Sequence, residues 1–238
     1  MSEIAQTADH ALRILEELGK GEPLSPTELC QRLDLNRTVV HRLLKTLAAR
    51  GFVLRQGVNY RPGAALVRIA STIEPDLRAV AVPIMSKVAH DAGETVVLHV
   101  VDGAQAVVLG EAVATEHVVQ VRHRIGSRHP LNSGASGRAI LAFLPTETAA
   151  KIVRNADDPE RVAEDLKAIR SHGYALSHDE LQMGVHGIAV PVLGVNGVAI
   201  GSLAILTPVN RAHGLERHVD GLQSASAQIQ SEYHQYVG

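Results

Sequence analysis

The 238-residue chain has no tryptophan, two phenylalanines and four tyrosines. So few rings exclude an aromatic platform of the kind on which single-stranded nucleic acid stacks. A single cysteine, Cys30, excludes a disulfide framework or a cysteine zinc cluster within the chain. No apolar run reaches the ~18 residues of a membrane-spanning helix. No basic stretch followed by an apolar one marks a secretory signal, so a cytoplasmic protein without membrane contact is expected. What is present is ordinary for a folded protein: 45% hydrophobic residues, 20% charged, and a net charge of −2. That small charge argues, as an average, against a nucleic-acid partner.

The average conceals an imbalance. Residues 1–72 hold ten Lys/Arg against seven Asp/Glu, a balance of +3, whereas the remainder holds 13 against 18, a balance of −5. Between Arg37 and Arg68 there is no acidic residue at all. A basic third on an acidic body implies two modules with different partners.

The basic third reads as a winged helix-turn-helix. Ala11, Ile14, Leu15 and Leu18 repeat at helical spacing, and Gly19 and Gly21 end that helix. Ser25-Pro26-Thr27-Glu28 is a capping box with proline at the first helical position. Leu29, Cys30 and Leu33 give the second helix its buried side, so Cys30 is expected in the core. Asn36 caps a third helix, from about Arg37 to Arg50, whose apolar stripe is Val40, Leu43, Leu44 and Leu47. Thr38, Arg42 and Lys45 fall opposite the stripe with His41 on the flank, a face without a carboxylate that suits the major groove. Residues 52–61 then read as a β-hairpin turned by Gln56-Gly57-Val58-Asn59, with Arg55 and Arg61 placed to grip phosphates. The DNA-binding residues expected are therefore Arg37, Thr38, His41, Arg42, Lys45, Arg55 and Arg61. A winged helix used for protein contacts is the competing reading.

The run from Leu35 to Leu47, followed by Arg50-Gly51-Phe52, resembles the recognition-helix segment of the IclR family of bacterial transcriptional regulators. Tyr60-Arg61-Pro62-Gly63 resembles the end of that family's wing, where leucine is more usual than Pro62. The resemblance implies that residues 1–63 bind double-stranded operator DNA as part of a homodimer or a dimer of dimers.

Leu66, Ile69, Ala70 and Ile73 continue at helical spacing, Pro75 closes that segment, and Leu77, Val80, Ala81, Ile84 and Val88 begin another helix. Pro83 either kinks this helix or starts it. Residues 64–80 are expected as a helical linker. Its apolar stripes have two possible covers, the same chain or a second copy; the resemblance implies the second for the first helix.

Residues 81–238 read as one antiparallel sheet with helices around it, so the whole chain is α+β. Strands are expected at Thr95–Val101, Gln105–Val113, Val118–Arg124, Ile188–Leu193 and Val198–Leu206. Helices are expected at Gly137–Leu144, Thr146–Arg154 and Pro159–Ser171, with a terminal helix from Gly214. The stretches Ile125–Ala142, Gly173-Tyr174-Ala175, Ile188–Val192 and Gly201–Ile205 resemble the IclR effector domain in the family's order. That resemblance implies a GAF-like domain binding a small organic acid. Ser133-Gly134-Ala135-Ser136-Gly137 opens a helix with small residues, a place where an anion meets backbone N–H groups; the competing reading is a loop that only caps the helix through Ser133 or Ser136. Carried over by position, the family's contacts fall on Leu131, Ala135, Ser136, Ser177 or His178, Gly187, Ala204 and Leu206. Gly187, Ala204 and Leu206 are smaller and more apolar than in relatives that take short oxo-acids, which points to an aromatic acid.

An enzyme acting on a small acid is the alternative function. It lacks a nucleophile and base at diagnostic spacing: there is no His-Glu-x-x-His, and Arg138 stands where a Gly-x-Ser-x-Gly elbow around Ser136 would need glycine. No catalytic residue, metal or cofactor is expected. The 13 histidines are read mainly as solvated or hydrogen-bonded, although His123, His129, His178 and His186 are candidates to meet in one pocket. The sign of regulation is not visible in the sequence.

Overall fold

The structure, a computed structural model, describes residues 5–70, 72 and 75–237, and the chain divides into two compact units between residues 75 and 76. The first unit runs α1 (Gln6–Leu18), α2 (Pro26–Leu33), α3 (Arg37–Ala49), β1 (Val53–Gln56), β2 (Asn59–Pro62) and α4 (Ala64–Ala70). The capping box forms: Ser25 Oγ accepts from the Glu28 N–H and Glu28 Oε2 accepts from the Ser25 N–H. Asn36 Oδ1 accepts from the Thr38 N–H at 2.9 Å and starts α3 in the expected place. Ile14, Leu18, Leu29, Val40, Leu44 and Val53 form the core, and Cys30 packs half-buried against it. The hairpin is tied to the α1–α2 connection by paired backbone bonds between Leu24 and Tyr60. Gly63 closes it, for a Cβ there would overlap the Gly51 carbonyl oxygen.

The second unit contains α5 (Pro75–Ala92), β3 (Thr95–Asp102), β4 (Gln105–Ala112), β5 (Arg128–Pro130), α6 (Gly134–Leu141), α7 (Thr146–Val153), α8 (Pro159–His172), β6 (Ala175–His178), β7 (Val185–Leu193), β8 (Ala199–Pro208) and α9 (Val219–Val237). The strands make one antiparallel sheet in the order β5-β4-β3-β8-β7-β6. Strand alternation sorts its faces. Val96, Leu98, Ile188, Val190, Leu203 and Ile205 pack against α5 and α9. The opposite face carries smaller residues, Ala106, Ala175, Ala189 and Ala204, under α6 and α8.

Three expectations change. Val118–Arg124 is not a strand: residues 113–127 have no regular structure, and Val118 and Val119 are exposed. Side chains hold this segment instead of a ladder, with Thr95 Oγ1 donating to the Val121 carbonyl and Arg211 Nη2 to that of Val119. Pro75 opens α5 instead of closing the preceding segment, as its missing N–H allows in a first turn. The helix continues through Pro83, which lies on its exposed side. Leu77 and Val80, expected in the linker, are buried in the second unit's core, while Ile73 lies outside the described residues. β5 and β6, too short to show a period, were not anticipated.

Candidate nucleic-acid interface and effector site

On α3 the buried stripe is Val40, Leu43, Leu44 and Leu47. Arg37, Thr38, His41, Arg42 and Lys45 are all exposed on the remaining surface. Other cations of this unit are tied into its fold. Glu17, nearly buried, accepts from Lys20 at 2.5 Å and Arg32 at 3.1 Å, and these hydrogen bonds, the one from Lys20 foremost, hold its carboxyl below the usual glutamate value against the effect of burial. Arg13 Nη2 donates to the Leu33 carbonyl at the end of α2. In the hairpin, Arg55 pairs with Tyr60 and Arg61 with Leu54. The two arginines are both exposed but leave the hairpin on opposite faces. Arg55 Nε also donates to the Gly57 carbonyl and is folded onto the turn.

The effector residues expected from the resemblance gather on the small-residue face of the sheet. Gly187 pairs with Leu206 on β8 and with Ser177 on β6. A Cβ at Gly187 would stand 3.1 Å from Leu206 Cδ2 and from Ser177 Oγ, and 3.7 Å from the Ala135 Cβ. Those four residues therefore meet. Ala204 pairs with Val97 and Ala189 and shares a cluster with Leu131 and Ala135; Ser136 is buried in the first turn of α6. His178 does not join them. It pairs with His186, their rings 4.6 Å apart, and alternation turns it from the face that Ser177 occupies. Of the two residues left open, Ser177 is the one beside Gly187.

The start of α6 already holds a carboxylate. Ser133 makes no side-chain cap; Glu180 Oε2 accepts from the Gly134 N–H at 2.9 Å, and both Glu180 oxygens take Arg138, which is buried and also donates to the Leu176 carbonyl. Burial opposes ionisation of Glu180, but the hydrogen bonds from Arg138 and Gly134 outweigh it and its carboxyl lies below the ordinary value. The bonds lock the helix start to the β6–β7 connection. The N–H groups of Ala135 and Ser136 come next in the unpaired first turn.

Of the four histidines that were candidates to meet in one pocket, His123 and His129 come together here beside His99, while His178 and His186 pair with each other; His99 and Ser202 were missed in the sequence. His99 stands across β3 and β8 from Ser202, and both are fully buried. The His129 ring lies 5.2 Å and the His123 ring 6.2 Å from that of His99. Alternation of Thr95, Val97, His99 and Val101 was the available signal. Among the described residues, no group of His, Cys, Asp and Glu is arranged to hold a metal ion, and no helix is long and apolar enough to cross a membrane.

A winged helix with a carboxylate-free α3 face, followed by an antiparallel sheet with a small-residue face, defines the class of two-module DNA-binding regulators. Comparison with known proteins narrows this. The sequence pattern of the IclR helix-turn-helix domain matches residues 7–57, and that of the bacterial transcriptional regulator IclR C-terminal region matches residues 70–231. The chain belongs to the IclR family of bacterial transcriptional regulators. It is 29% identical over 222 residues to the HTH-type transcriptional regulator BhcR of Paracoccus denitrificans, covering 85% of this chain and 77% of that one. It is 26% identical over 223 residues to the transcriptional repressor IclR of Escherichia coli, covering 87% and 81%. An IclR regulator from Alicyclobacillus acidocaldarius superposes with a TM-score of 0.82 at 27% identity, covering 97% of this chain and all of that one. An IclR homologue from Microbacterium hydrocarbonoxydans, solved in complex with 4-hydroxybenzoate, gives 0.83 at 23% identity, covering 96% and 99%.

Proposed function

We propose that this protein is a cytoplasmic, ligand-responsive regulator that binds operator DNA as a homodimer or dimer of dimers and is controlled by a small aromatic acid. Residues 1–63 serve as the DNA-binding domain and the unit that begins with α5 as the effector and oligomerisation domain, so the linker expected over 64–80 is confined to the residues before α5. Arg37, Thr38, His41, Arg42 and Lys45 read the major groove, and Arg55 and Arg61 hold the backbone from either side of the wing. The observation that carries the DNA reading is the α3 face, on which every non-core position from Arg37 to Lys45 is polar or cationic except the half-buried Val39. The effector is assigned to Leu131, Ala135, Ser136, Ser177, Gly187, Ala204 and Leu206. Their small and apolar side chains suit a ring better than a short oxo-acid. The acid reading takes support from the relative solved with 4-hydroxybenzoate. The protein acts without catalysis, turning ligand binding into altered operator affinity, which requires unequal affinity of the ligand for two states.

A gel-shift with the protein's own upstream region, run across salt concentrations and a panel of aliphatic and aromatic acids, tests this. Operator binding is expected to weaken steeply with salt and to change with an aromatic acid. Response to short oxo-acids alone would sink the aromatic assignment, turnover of the acid would restore the enzyme reading, and indifference to every acid would leave a constitutive DNA-binding protein.

A further inference from the structure

We infer that His99, His123, His129 and Ser202 form the polar end of the effector site and recognise the oxyanion of an organic acid. This rests on the effector reading above and extends it to residues outside the family-derived set. Three separate segments, β3, the irregular stretch 113–127 and the start of β5, converge to place the imidazoles together. Neither ring nitrogen of His99 has a hydrogen-bond partner, nor does Ser202 Oγ or His129 Nε2, although all four atoms are buried. Buried polar atoms are nearly always paired, so four orphans on three neighbouring residues, His99 and Ser202 facing each other across β3 and β8 and His129 with its ring beside that of His99, point to a partner outside the chain. Nδ1 of His129 lies 3.1 Å from the Pro130 carbonyl, which fixes it as the donor and leaves Nε2 as an acceptor without a partner in the chain.

The surroundings select the partner's chemistry. Val97, Val108, Val121 and Leu206 form an apolar cluster next to the histidines: Val97 is two residues from His99, Val108 lies opposite it, and Val121 is two residues from His123. Two strand residues span about 7 Å, the length of one ring bearing a carboxylate, so an oxyanion at Ser202 leaves its ring over position 204. The charged groups around the cluster favour an anion over a cation. Glu111 on β4 already accepts from Arg122 Nε and the His123 N–H. Beyond Gly134 on α6, Glu180 is committed to Arg138, and β3 and β8 bring no charged side chain to this face. Burial, then the neighbouring imidazoles, hold His99 well below its usual pKa; burial also lowers His123, against Glu111, and His129. The cluster is thus neutral without ligand, and an arriving anion draws a proton onto it.

Titration calorimetry of the full-length protein with benzoate and 4-hydroxybenzoate, in two buffers of different ionisation heat, tests this. Wild type is expected to take up a proton on binding and to bind more tightly at about pH 6.5 than at about pH 8, across the histidine range. His99→Leu is expected to lose about tenfold or more in affinity, as for removal of a hydrogen bond to a charged group, together with the proton uptake. Its ligand-free melting temperature should be equal or higher, because an unpaired buried imidazole is gone. Ser202→Ala, the milder change, is expected to weaken binding severalfold. Acid binding with unaltered affinity and proton uptake in both variants overturns this inference and leaves the effector reading standing. Tight Zn2+ or Ni2+ binding, lost in His99→Leu and without acid binding at the cluster, also overturns it. Binding of none of the acids overturns both.

Discussion

At the scale of the residue, the hydrogen bonds separate cations that build the fold from cations that face outward. Arg13, Lys20 and Arg32 spend their charge on the Leu33 carbonyl and Glu17. Arg42 and Lys45 stand exposed on α3. Arg42→Ala is therefore expected to lower operator affinity about tenfold or more, the cost of one lost base or phosphate contact, with the melting temperature unchanged. Arg32→Ala should do the reverse, lowering thermal stability slightly with the salt dependence of DNA binding unaltered. Gel-shift and thermal melting on the same two variants check both. The outward cations were legible from residue order alone, because the apolar stripe of α3 is continuous and its complement follows at once. The histidine cluster was legible only in part: His123 and His129 were candidates to share a pocket, but His99 was not among them, and His178 and His186 pair apart from it. His99 lies inside an apolar run, and its neighbours His123 and His129 come from segments whose closeness only the folded chain creates.

At the scale of the element, capped helices and the four long strands were easy to foresee, whereas the short strands β5 and β6 and the irregular stretch 113–127 were not. Ser25, Glu28 and Asn36 act within three residues of themselves, so α2 and α3 begin where local chemistry says. Residues 118–124 alternate like a strand but end up without a partner strand, since pairing is decided by distant residues. The start of α6 misled for the same reason: its cap is Glu180, forty-six positions away from Gly134. The wing offers a direct test. Gly63→Ala places a methyl group against the backbone at Gly51, which has no rotamer to yield. We expect a loss of about 1–3 kcal/mol, the usual range for overpacking, and weaker operator binding. Denaturant unfolding followed in the first unit would show it; a fully wild-type midpoint would mean that the wing is not closed through Gly63.

At the scale of the whole molecule, the fold class and the two-module plan were readable, because charge and periodicity both change along the chain. The boundary was less so: α5 belongs to the second unit from its first turn, and only its core contacts say so. The pH response belongs to this scale. The buried imidazoles of His99 and His129 and the half-buried one of His123 have lowered pKa values in the folded protein, while the unfolded chain protonates near the ordinary value of about 6.5. Below that value the unfolded state binds more protons, so stability should fall as pH drops through it. Glu180, also lowered, adds a loss in a more acidic window, as pH falls through the glutamate range. Urea unfolding at about pH 7.5 and pH 5.5 should show wild type losing stability and His99→Leu losing less. The alternation along β8 has an evolutionary corollary. Leu203 and Ile205 hold the sheet to α5 and α9, while Ser202, Ala204 and Leu206, one step out of phase, face the assigned ligand. A lineage can thus rewrite what the regulator senses by substituting every second residue of one strand, leaving the scaffold that supports it uninherited from that choice and untouched by it.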